Sequence, residues 1–595
     1  MELRDSRRLT GPNFIWEKPG AVLDVLLEEA ECACSADSAS VATRVGQAWS
    51  LCVRRMMDAL GWQAHAIACK HVGVALPDGR LGRGMSLAIS APLDALYVAC
   101  SVNEWAFDWA ISSFSSASGV RHEADFAAAL ERLQAELVSE ANPALLALHA
   151  AATQRGVAFL SDDDEVSVGM GKGSLSWPVD ALPAPEEVDW SSVRDVPHVV
   201  VTGTNGKSTT VRLLFAMCTA AGELPGISST DYVRVGDRVL EEGDWSGPGG
   251  SRMLLRDKAV SVALLETARG GMMRRGLALE RTELAVVLNI GSDHLTEWAT
   301  PDLTSLADAK FIAVWVAARA VLNADDPEIV AASGRSMRPS TERIWFSLER
   351  SNEILSAHLE AGGKGAWLDA GVLWLGGFGD EIERVAVVQE IPMTLGGAAR
   401  YNIANALAAI CAARELGLPL ASIRAGLKNF ESNPEDNPGR LNRIELGGVT
   451  ALVDFAHNPD GMQALFSAAA AIPAKRRLAL IGQAGDRDEP STRGMARAAV
   501  EAGIDYIVIK ELTEHLRGRA LGELPALIED ELRCQGLDES RFSHAPDELS
   551  SVHQAFAWAQ EGDLLVLLAH DAREQVLGLV QRLKREGWRP GDPTR

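Results

Sequence analysis

VVVTGTNGKSTTVRLL, residues 199–214, is the stretch that decides the fold of this 595-residue chain. Three valines lead into a glycine-punctuated turn, and the run from Thr209 onward is compatible with a helix. A turn between a buried strand and a helix presents backbone N–H groups and a positive helix end to an anion. We therefore expect a phosphate chain here, with Lys207 reaching its β- and γ-phosphates and Ser208 binding Mg²⁺. The alternative is a glycine turn with an incidental surface lysine.

The composition narrows the class of protein and its partners. A formal net charge of −24 argues against nucleic acid as a partner, and no run approaches the roughly 18 apolar residues of a membrane span. The N-terminus has no apolar leader, so we expect a cytoplasmic protein with no membrane partner. The eight cysteines are scattered, and the close pair Cys32 and Cys34 lacks a second pair at zinc spacing. Reduced thiols are therefore expected.

Changes in sequence pattern predict the domain organisation. Residues 1–160 indicate a mainly helical α+β domain, with an extended stretch at 65–76 (HAIACKHVGVAL), and the polar, proline-containing residues 161–195 are interpreted as a linker. Strand-like and helical runs then alternate over 196–432, which is typical of a doubly wound α/β domain. A second, Rossmann-like α/β domain is expected over 433–595.

The strands expected in the two α/β domains are continuous apolar runs, as found in parallel sheets buried on both faces. In the central domain they are VPHVVVTG, AVSVALLET, LAVVLNIG, ARAVLNAD and ERIWFSLE. In the last domain they are VTALVDFAH, RRLALIGQAG, IDYIVIKE and GDLLVLLAH. Ligands of open α/β sheets bind at the carboxyl ends of such strands.

Candidate metal ligands follow two of these strands. Glu266 ends one strand in LLETARGG, and Asp293 and His294 follow another in NIGSDHL. A carboxylate and an imidazole at neighbouring strand ends are plausible ligands for a second Mg²⁺, although each alone is more often a surface or capping residue. Lys310, in SLADAKFIAVW, is a lone lysine on an apolar helix, for which snorkelling to solvent is the simple alternative.

The phosphate loop has an unusual spacing that carries a family resemblance. Gly203 lies four residues before Lys207, where the usual P-loop has its first glycine six residues before the lysine. The form T-G-T-N-G-K-S-T resembles the nucleotide loop of the Mur ligase family. The resemblance implies that Lys310 carries CO₂ as a carbamate and that it holds a second Mg²⁺ with Glu266 and His294. The residues implied to hold ATP in this loop are Gly203, Thr204, Asn205, Gly206, Lys207, Ser208 and Thr209.

Two further stretches resemble the nucleotide-binding segments of the same family. In 437–466, the G-R and D-F-A-H-N-P-D motifs imply that Arg440 contacts phosphate, that Asp454 contacts the ribose or phosphates, and that His457 neighbours the nucleotide. In 396–409, the resemblance places Asn402 and Asn405 near the adenine or ribose, with Arg400-Tyr401 where histidine is common. The alternative for VTALVDFAH is an ordinary core strand with a polar exit.

Longer stretches look like one particular branch of Mur-type ligases. Residues 241–277 and 506–523 resemble the ligase domain of cyanophycin synthetases, and residues 6–16 and 156–173 resemble the two ends of their N-terminal domain. In those enzymes an ATP-grasp domain, which adds aspartate, separates the two parts. Here the chain passes from GMGKG, residues 169–173, to the phosphate loop at residue 203 in about thirty residues, which leaves no room for that domain. Alternating aspartate and arginine addition by this chain alone is therefore excluded.

The resemblance implies an ADP-forming amide ligase. A carboxylate would be activated as an acyl phosphate and then attacked by the amine of an amino acid, with arginine or a related amino acid as the candidate. Arg269, Arg274 and Arg275 are candidates to bind carboxylates of the acceptor, since guanidinium groups suit them, and an ordinary basic surface is the alternative. The expected partners are small amino acids with carboxylates or short peptides, in a homo-oligomer.

Two other functions remain open at this point. One is a Mur-fold ligase with a cell-wall or polyglutamate-type substrate. The other is a non-catalytic nucleotide-binding subunit that works beside a separate ATP-grasp protein. A non-catalytic subunit is disfavoured because the residues implied in catalysis are intact, namely Lys207, Ser208, Glu266, His294 and Lys310.

Overall fold

The computed structural model describes residues 2–26, 38–75, 81–115, 121–293, 300, 302–379 and 381–594. His294, a predicted metal ligand, lies outside the described residues, as do Cys32 and Cys34. The cysteines at positions 52, 69, 100, 218, 411 and 534 are free thiols.

The N-terminal part is built on an antiparallel sheet, covered by helices. Its strands are β1 (Glu2–Leu9), β2 (Gly20–Leu26), β3 (Ile67–Ala75) and β4 (Leu81–Ser90), in the order β1-β2-β4-β3. Its helices are α1 (Ser38–Ala59), α2 (Leu96–Ser115), α3 (Arg121–Glu140) and α4 (Pro143–Arg155). The extended stretch expected at 65–76 is confirmed as β3, while the other three strands were not predicted.

The stretch interpreted as a linker contains folded structure. Strands β5 (Phe159–Ser161), β6 (Glu165–Val168) and β7 (Leu175–Pro178) form a small antiparallel sheet, and Val166 and Val168 are fully buried in its core. Arg256, from the following domain, donates hydrogen bonds to the Asp162 carboxylate at 2.5 Å and to the Glu165 carbonyl at 2.7 Å. These strands have only three or four residues and are joined by polar turns, so the stretch has the composition of a linker.

The central domain has a mixed sheet whose middle is parallel. The seven neighbouring strands β9-β12-β8-β13-β14-β15-β16 pair in parallel. The hairpin of β10 and β11 extends one edge antiparallel, and β17 and β18 extend the other edge antiparallel. The strand order is β11-β10-β9-β12-β8-β13-β14-β15-β16-β17-β18. The strands are β8 (His198–Thr202), β9 (Pro225–Ser228), β10 (Tyr232–Val235), β11 (Arg238–Glu242), β12 (Val262–Glu266), β13 (Thr282–Val287), β14 (Ala317–Asn323), β15 (Glu342–Ser347), β16 (Lys364–Asp369), β17 (Val372–Gly376) and β18 (Glu383–Val387).

Helices cover both faces of this sheet, so its apolar strands are buried as expected. Every residue of β8 and of β12 is buried. The helices are α5 (Lys207–Ala220), α6 (Pro248–Arg256), α7 (Arg269–Arg275), α8 (Leu303–Trp315), α9 (Pro327–Arg335), α10 (Glu353–Glu360), α11 (Arg400–Glu415) and α12 (Leu420–Asn429).

The C-terminal domain is a second α/β unit with the strand order β19-β20-β24-β21-β22-β23. Its strands are β19 (Asn442–Leu446), β20 (Val449–Asp454), β21 (Arg477–Ile481), β22 (Tyr506–Lys510), β23 (Phe542–Ala545) and β24 (Leu564–Leu568). Its helices are α13 (Pro459–Ala471), α14 (Glu489–Glu501), α15 (Glu523–Cys534), α16 (Glu548–Trp558) and α17 (Arg573–Arg585). All pairs are parallel except β19 with β20, so the fold class expected from the sequence is confirmed.

The domains meet through backbone hydrogen bonds and facing sheet edges. Thr10 N–H donates to the Arg275 carbonyl at 2.9 Å, and Leu277 N–H donates to the Pro12 carbonyl at 2.7 Å, which ties the N-terminal domain to the end of α7. The carboxyl ends of β8 and β12 face those of β21 and β22 across one cavity. Within the described ranges, no helix combines the length and apolarity that crossing a bilayer requires.

Candidate active site

A cavity of about 530 Å³ lies between the central and C-terminal domains. The central domain contributes the loop after β8, the end of β12 and one face of α8, and the C-terminal domain contributes the loops that follow its strands. Both sheets therefore present their carboxyl ends to the same space, as open α/β sheets do at ligand sites. Most of the predicted site residues line it.

The phosphate loop requires glycine at one position for two reasons. Gly206, immediately before α5, has φ +88°, a conformation that favours glycine. A Cβ atom there would lie 2.3 Å from Oδ1 of Asn405. Any side chain at position 206 would therefore have to displace the amide group of Asn405, a residue of α11.

Lys207 folds back over its own loop. Its Nζ donates to the carbonyl oxygens of Gly203 and Thr204, each at 3.0 Å. Burial lowers the pKa of Lys207, and the nearby carboxylates of Glu266 and Asp293 partly offset this. The ammonium group is thus held at the cavity wall by carbonyl oxygens of the loop.

Oxygen ligands converge beside this lysine. The Ser208 hydroxyl donates to Oε1 of Glu266 at 3.2 Å, and the Thr230 hydroxyl donates to the same oxygen at 2.7 Å. Glu266 is only 1% exposed. Hydroxyl and carboxylate oxygens are the ligands that Mg²⁺ prefers, so Ser208 and Glu266 fit a magnesium ion. Thr230 was not predicted, because its loop carries no recognisable motif.

Lys310 faces the cavity and not the solvent, which corrects the snorkelling alternative. The residue is 4% exposed and lines the same space as Glu266 and Lys207. Burial lowers its pKa well below the usual value, and the positive charges of Lys207 and Arg269 lower it further. Among the described residues, no cluster of three or more His, Cys, Asp and Glu side chains is arranged to hold a metal.

Asp293 connects the two domains across the cavity. Its Oδ1 accepts from Nη1 of Arg487 at 2.9 Å, and its Oδ2 lies 3.4 Å from Nε2 of His457 and accepts from Nδ2 of Asn458 at 3.3 Å. Asp293 belongs to the central domain, and Arg487, His457 and Asn458 belong to the C-terminal domain. Arg487 was missed by the sequence analysis, because it follows β21 without a motif that was recognised there.

A second chamber of about 260 Å³ adjoins the loop and is lined by Asn402, Asn405, Asp454 and His457. Asn402 donates to the Met393 carbonyl at 2.8 Å, and Asn405 donates to Oδ1 of Asn402 at 3.2 Å. The predicted nucleoside contacts thus share one chamber. Its size and its position beside the phosphate loop suit a nucleoside.

Arg440 lines both chambers, where a phosphate chain would pass between them. Its guanidinium lies 4.6 Å from the ring centroid of Phe455, and its buried Nε finds no hydrogen-bond acceptor in the described part of the chain. Burial lowers the pKa of this arginine. A buried N–H without an acceptor fits an anionic ligand.

The three predicted carboxylate-binding arginines separate in the structure. Arg269 is 7% exposed, lines the cavity and donates from Nη1 to Oγ1 of Thr300 at 2.6 Å. Arg274 and Arg275 have exposed side chains at the far end of α7, and neither is among the described residues that line the cavity. Of these three arginines, only Arg269 is therefore positioned to contact a ligand in the cavity.

The comparisons with known proteins bear on the same region. Residues 201–413 match the family described as "Mur ligase middle domain", and residues 439–570 match "Mur ligase, glutamate ligase domain". Cyanophycin synthetase of Trichormus variabilis is 35% identical over 395 residues, which cover 66% of this chain and 43% of that enzyme. The chain thus spans less than half the length of the cyanophycin synthetases it matches.

More distant similarities cover a similar share of the chain. The UDP-N-acetylmuramoyl-L-alanyl-D-glutamate--2,6-diaminopimelate ligase of Listeria monocytogenes is 25% identical over 396 residues, 64% of this chain and 74% of that enzyme. The solved structure of E. coli FolC in complex with ADP has a TM-score of 0.48 and 20% identity, over 66% of this chain and 90% of that one. The two family matches include the loop, the central sheet and both walls of the cavity, and on this basis the chain belongs to the Mur ligase family.

Proposed function

We propose that this protein is an ATP-dependent, ADP-forming amide ligase that joins an amino acid amine to a carboxylate. The observation that carries the proposal is the convergence of Lys207, the Ser208–Glu266 pair and Arg440 on one cavity. Such a site offsets the negative charges that ATP and a carboxylate bring together. Similarity to cyanophycin synthetases and to a diaminopimelate ligase supports a ligase.

The first step would be transfer of the γ-phosphoryl group. The bond between γ-phosphorus and the bridging oxygen of ADP breaks, and a bond from that phosphorus to a carboxylate oxygen of the substrate forms. Lys207 and the loop N–H groups would hold the phosphate oxygens, and Arg440 would hold the chain where it enters the second chamber. A Mg²⁺ held by Ser208 and Glu266 would supply positive charge to the same oxygens.

The second step would form the amide. The amine nitrogen attacks the carbonyl carbon of the acyl phosphate, the carbon–oxygen bond to phosphate breaks, and inorganic phosphate leaves while the nitrogen loses its proton to solvent. Arg269, buried at the cavity wall, would bind a substrate carboxylate. Arginine or a related amino acid is the proposed amine, because a cyanophycin synthetase is 35% identical to this chain over 395 residues, compared with 25% for a diaminopimelate ligase.

Lys310 is proposed to carry a carbamate that takes part in the second metal site. Its lowered pKa favours the free amine, whose nitrogen forms a bond to the carbon of CO₂ while a proton leaves to water. The resulting carboxylate-like oxygens are ligands suited to Mg²⁺. Glu266 lines the same cavity and would share the ion.

A cell-wall type of substrate is the second candidate. The similarity to a diaminopimelate ligase favours it, but at 25% identity compared with 35% for cyanophycin synthetase. The candidates differ in the amine that they consume. A panel that pairs arginine, glutamate or diaminopimelate with dicarboxylates and dipeptides separates them by the amine that releases ADP.

The same assay tests the proposed chemistry. ADP and phosphate released in equal amounts, only when both substrates are present, is the expected result. AMP and pyrophosphate would contradict phosphoryl transfer to the carboxylate. Absence of substrate-dependent nucleotide cleavage across the panel would favour a non-catalytic nucleotide-binding subunit.

A further inference from the structure

Tyr401, the second residue of α11, has a buried hydroxyl group without a visible role. Its Oη is shielded from solvent and has no hydrogen-bond partner among the residues that the structure describes. The residue lines the chamber of about 260 Å³ that adjoins the phosphate loop. Neither the loop motif nor the metal ligands account for it.

The position of this hydroxyl is fixed by packing. The ring packs against the apolar core of the C-terminal domain, together with Leu395 and Ala456. A buried hydroxyl that makes no hydrogen bond costs about 1–3 kcal/mol, so native proteins rarely leave one unsatisfied without a ligand or an ordered water. A phenylalanine would fill the same apolar space without this cost.

Neighbouring polar groups already have partners within the protein. Asp454 accepts from the backbone N–H of Leu441 through Oδ2 and from that of Ala456 through Oδ1, both at 2.7 Å. Asn402 donates to the Met393 carbonyl. The tyrosine hydroxyl therefore has no partner in the described part of the chain, while the neighbouring side chains of Asp454 and Asn402 are held by hydrogen bonds.

The groups beside the Tyr401 hydroxyl indicate which part of a bound nucleotide would reach it. Burial is the main cause of the raised pKa of Tyr401, and the negative charge of Asp454 adds to it. Asp454 lies at the junction with the phosphate cavity, because its Oδ2 accepts from the N–H of Leu441, the residue after Arg440, and Phe455, the residue after Asp454, lines both cavities as Arg440 does. Tyr401 therefore belongs to the end of the chamber next to the phosphates, and in a nucleotide the ribose follows the phosphates.

We propose that the Tyr401 hydroxyl donates a hydrogen bond to a ribose hydroxyl of the bound nucleotide, and so sets how tightly the nucleoside is held. The inference rests on the proposed nucleotide-binding function. Tyr401 would be a binding residue for the nucleoside, and the chemistry of the γ-phosphate would not depend on it.

The test compares the full-length protein with its Tyr401→Phe variant by calorimetric titration with ADP, 2′-deoxy-ADP and 3′-deoxy-ADP. We expect the variant to bind ADP about tenfold more weakly, the value of one lost hydrogen bond of about 1.4 kcal/mol. The wild type should lose a similar factor for one of the deoxy analogues, and the variant should not distinguish that analogue from ADP. The melting temperature of the ligand-free variant should be equal or higher.

Tyr506→Phe is the matched control, because Tyr506 stacks on Trp558 in the C-terminal domain and does not line either chamber in the described residues. Equal ADP affinity of Tyr401→Phe and the wild type would overturn the inference. A tenfold loss that is the same for ADP and both deoxy analogues would overturn the ribose assignment. A wild type that binds no ADP would refute the proposed function itself, whatever the variant does.

Discussion

Nη1 of Arg487, in the loop after β21, lies 2.9 Å from Oδ1 of Asp293, in the loop after β13. The Arg487 and Asp293 side chains are 12% and 10% exposed. The pair joins the C-terminal domain to the central domain at the cavity wall, so it holds the two halves of the proposed site in register.

Arg487→Ala should reduce turnover more than stability. Removal of the guanidinium leaves the Asp293 carboxylate with one interdomain partner fewer, and we expect kcat to fall by at least about tenfold. Arg533→Ala removes an exposed arginine of α15 that pairs with Glu529 and Glu539, and serves as the control. Steady-state ADP release and melting temperature are the measurements. Equal turnover in both variants would show that the pair does not organise the site.

Gly206→Ala should abolish nucleotide binding for a steric reason. Both Gly206 and Gly222 have left-handed φ angles, +88° and +80°. Only at Gly206 would a Cβ atom meet another residue, Asn405, whereas nothing lies within 4 Å at Gly222. Gly222→Ala thus matches the backbone strain of about 1–2 kcal/mol without the clash. Titration with ADP should show loss of binding in the first variant only, and comparable affinities would contradict the close approach.

Asp231 should be important for stability. It pairs with Arg212 of α5 and, at 2.6 Å, with Nη1 of Arg573 of the C-terminal domain. Asp231→Ala leaves buried positive charge uncompensated, and we expect a loss of about 3 kcal/mol in the free energy of unfolding. Asp237→Ala removes a fully exposed carboxylate that pairs with Arg234, and should change that free energy by less than about 0.5 kcal/mol. Urea unfolding measures both.

The stabilisation by Asp231 should also depend on pH. Burial alone raises the pKa of Asp231, but Arg212 and Arg573 hold it below its ordinary value of 3.8. The native state therefore favours the ionised form, so the stabilisation is complete above about pH 4 and is lost as the pH falls below that. The stability difference between wild type and Asp231→Ala should shrink in that acidic range. A difference that stays constant down to pH 2.5 would contradict the ion pair.

Lys310 should carry a carbamate that is visible without an activity assay. With ¹³C-labelled CO₂, the wild type should show an added carbamate resonance that is missing from Lys310→Met. Methionine keeps the length of the side chain and suits its apolar surroundings, so the variant should fold with an equal or higher melting temperature. Identical spectra for the two proteins would refute the modification.

Lys207→Ala should abolish ligation while the fold remains. The side chain bonds only to carbonyl oxygens of its own loop among the described contacts, so its loss leaves the sheet and helix packing intact. The expected result is background ADP formation with a melting temperature within a few degrees of the wild type. Turnover of this variant at the wild-type rate would show that Lys207 does not have the role assigned to it.

Local signals in the sequence were sufficient for the buried parts of the fold. Strands such as β8 and β21 are valine-rich or leucine-rich runs, and the phosphate loop is a contiguous motif. Strands β1 (ELRDSRRL) and β11 (RVLEE) are charged and gain their structure from pairing with a neighbour, so no local pattern indicates them. The small sheet at 159–178 was not predicted for the same reason, because its short strands depend on pairing with one another.

The residues of the site also fall into those that a local motif indicates and those that only the folded chain brings together. Lys207, Ser208 and Arg440 belong to contiguous motifs and line the cavity as expected. Thr230 and Arg487 reach it only because the chain folds distant loops together, which no spacing rule reveals. Arg274 and Arg275 share a motif with Arg269, but the helical turn directs them away from the cavity.

The most direct test is a crystal structure of the protein with Mg²⁺ and a nonhydrolysable ATP analogue. We expect the triphosphate along residues 203–208, with the γ-phosphate between Lys207 and Glu266 and the nucleoside in the chamber beside Tyr401. A cavity that stays closed to the analogue, or a nucleotide bound elsewhere on the chain, would contradict it.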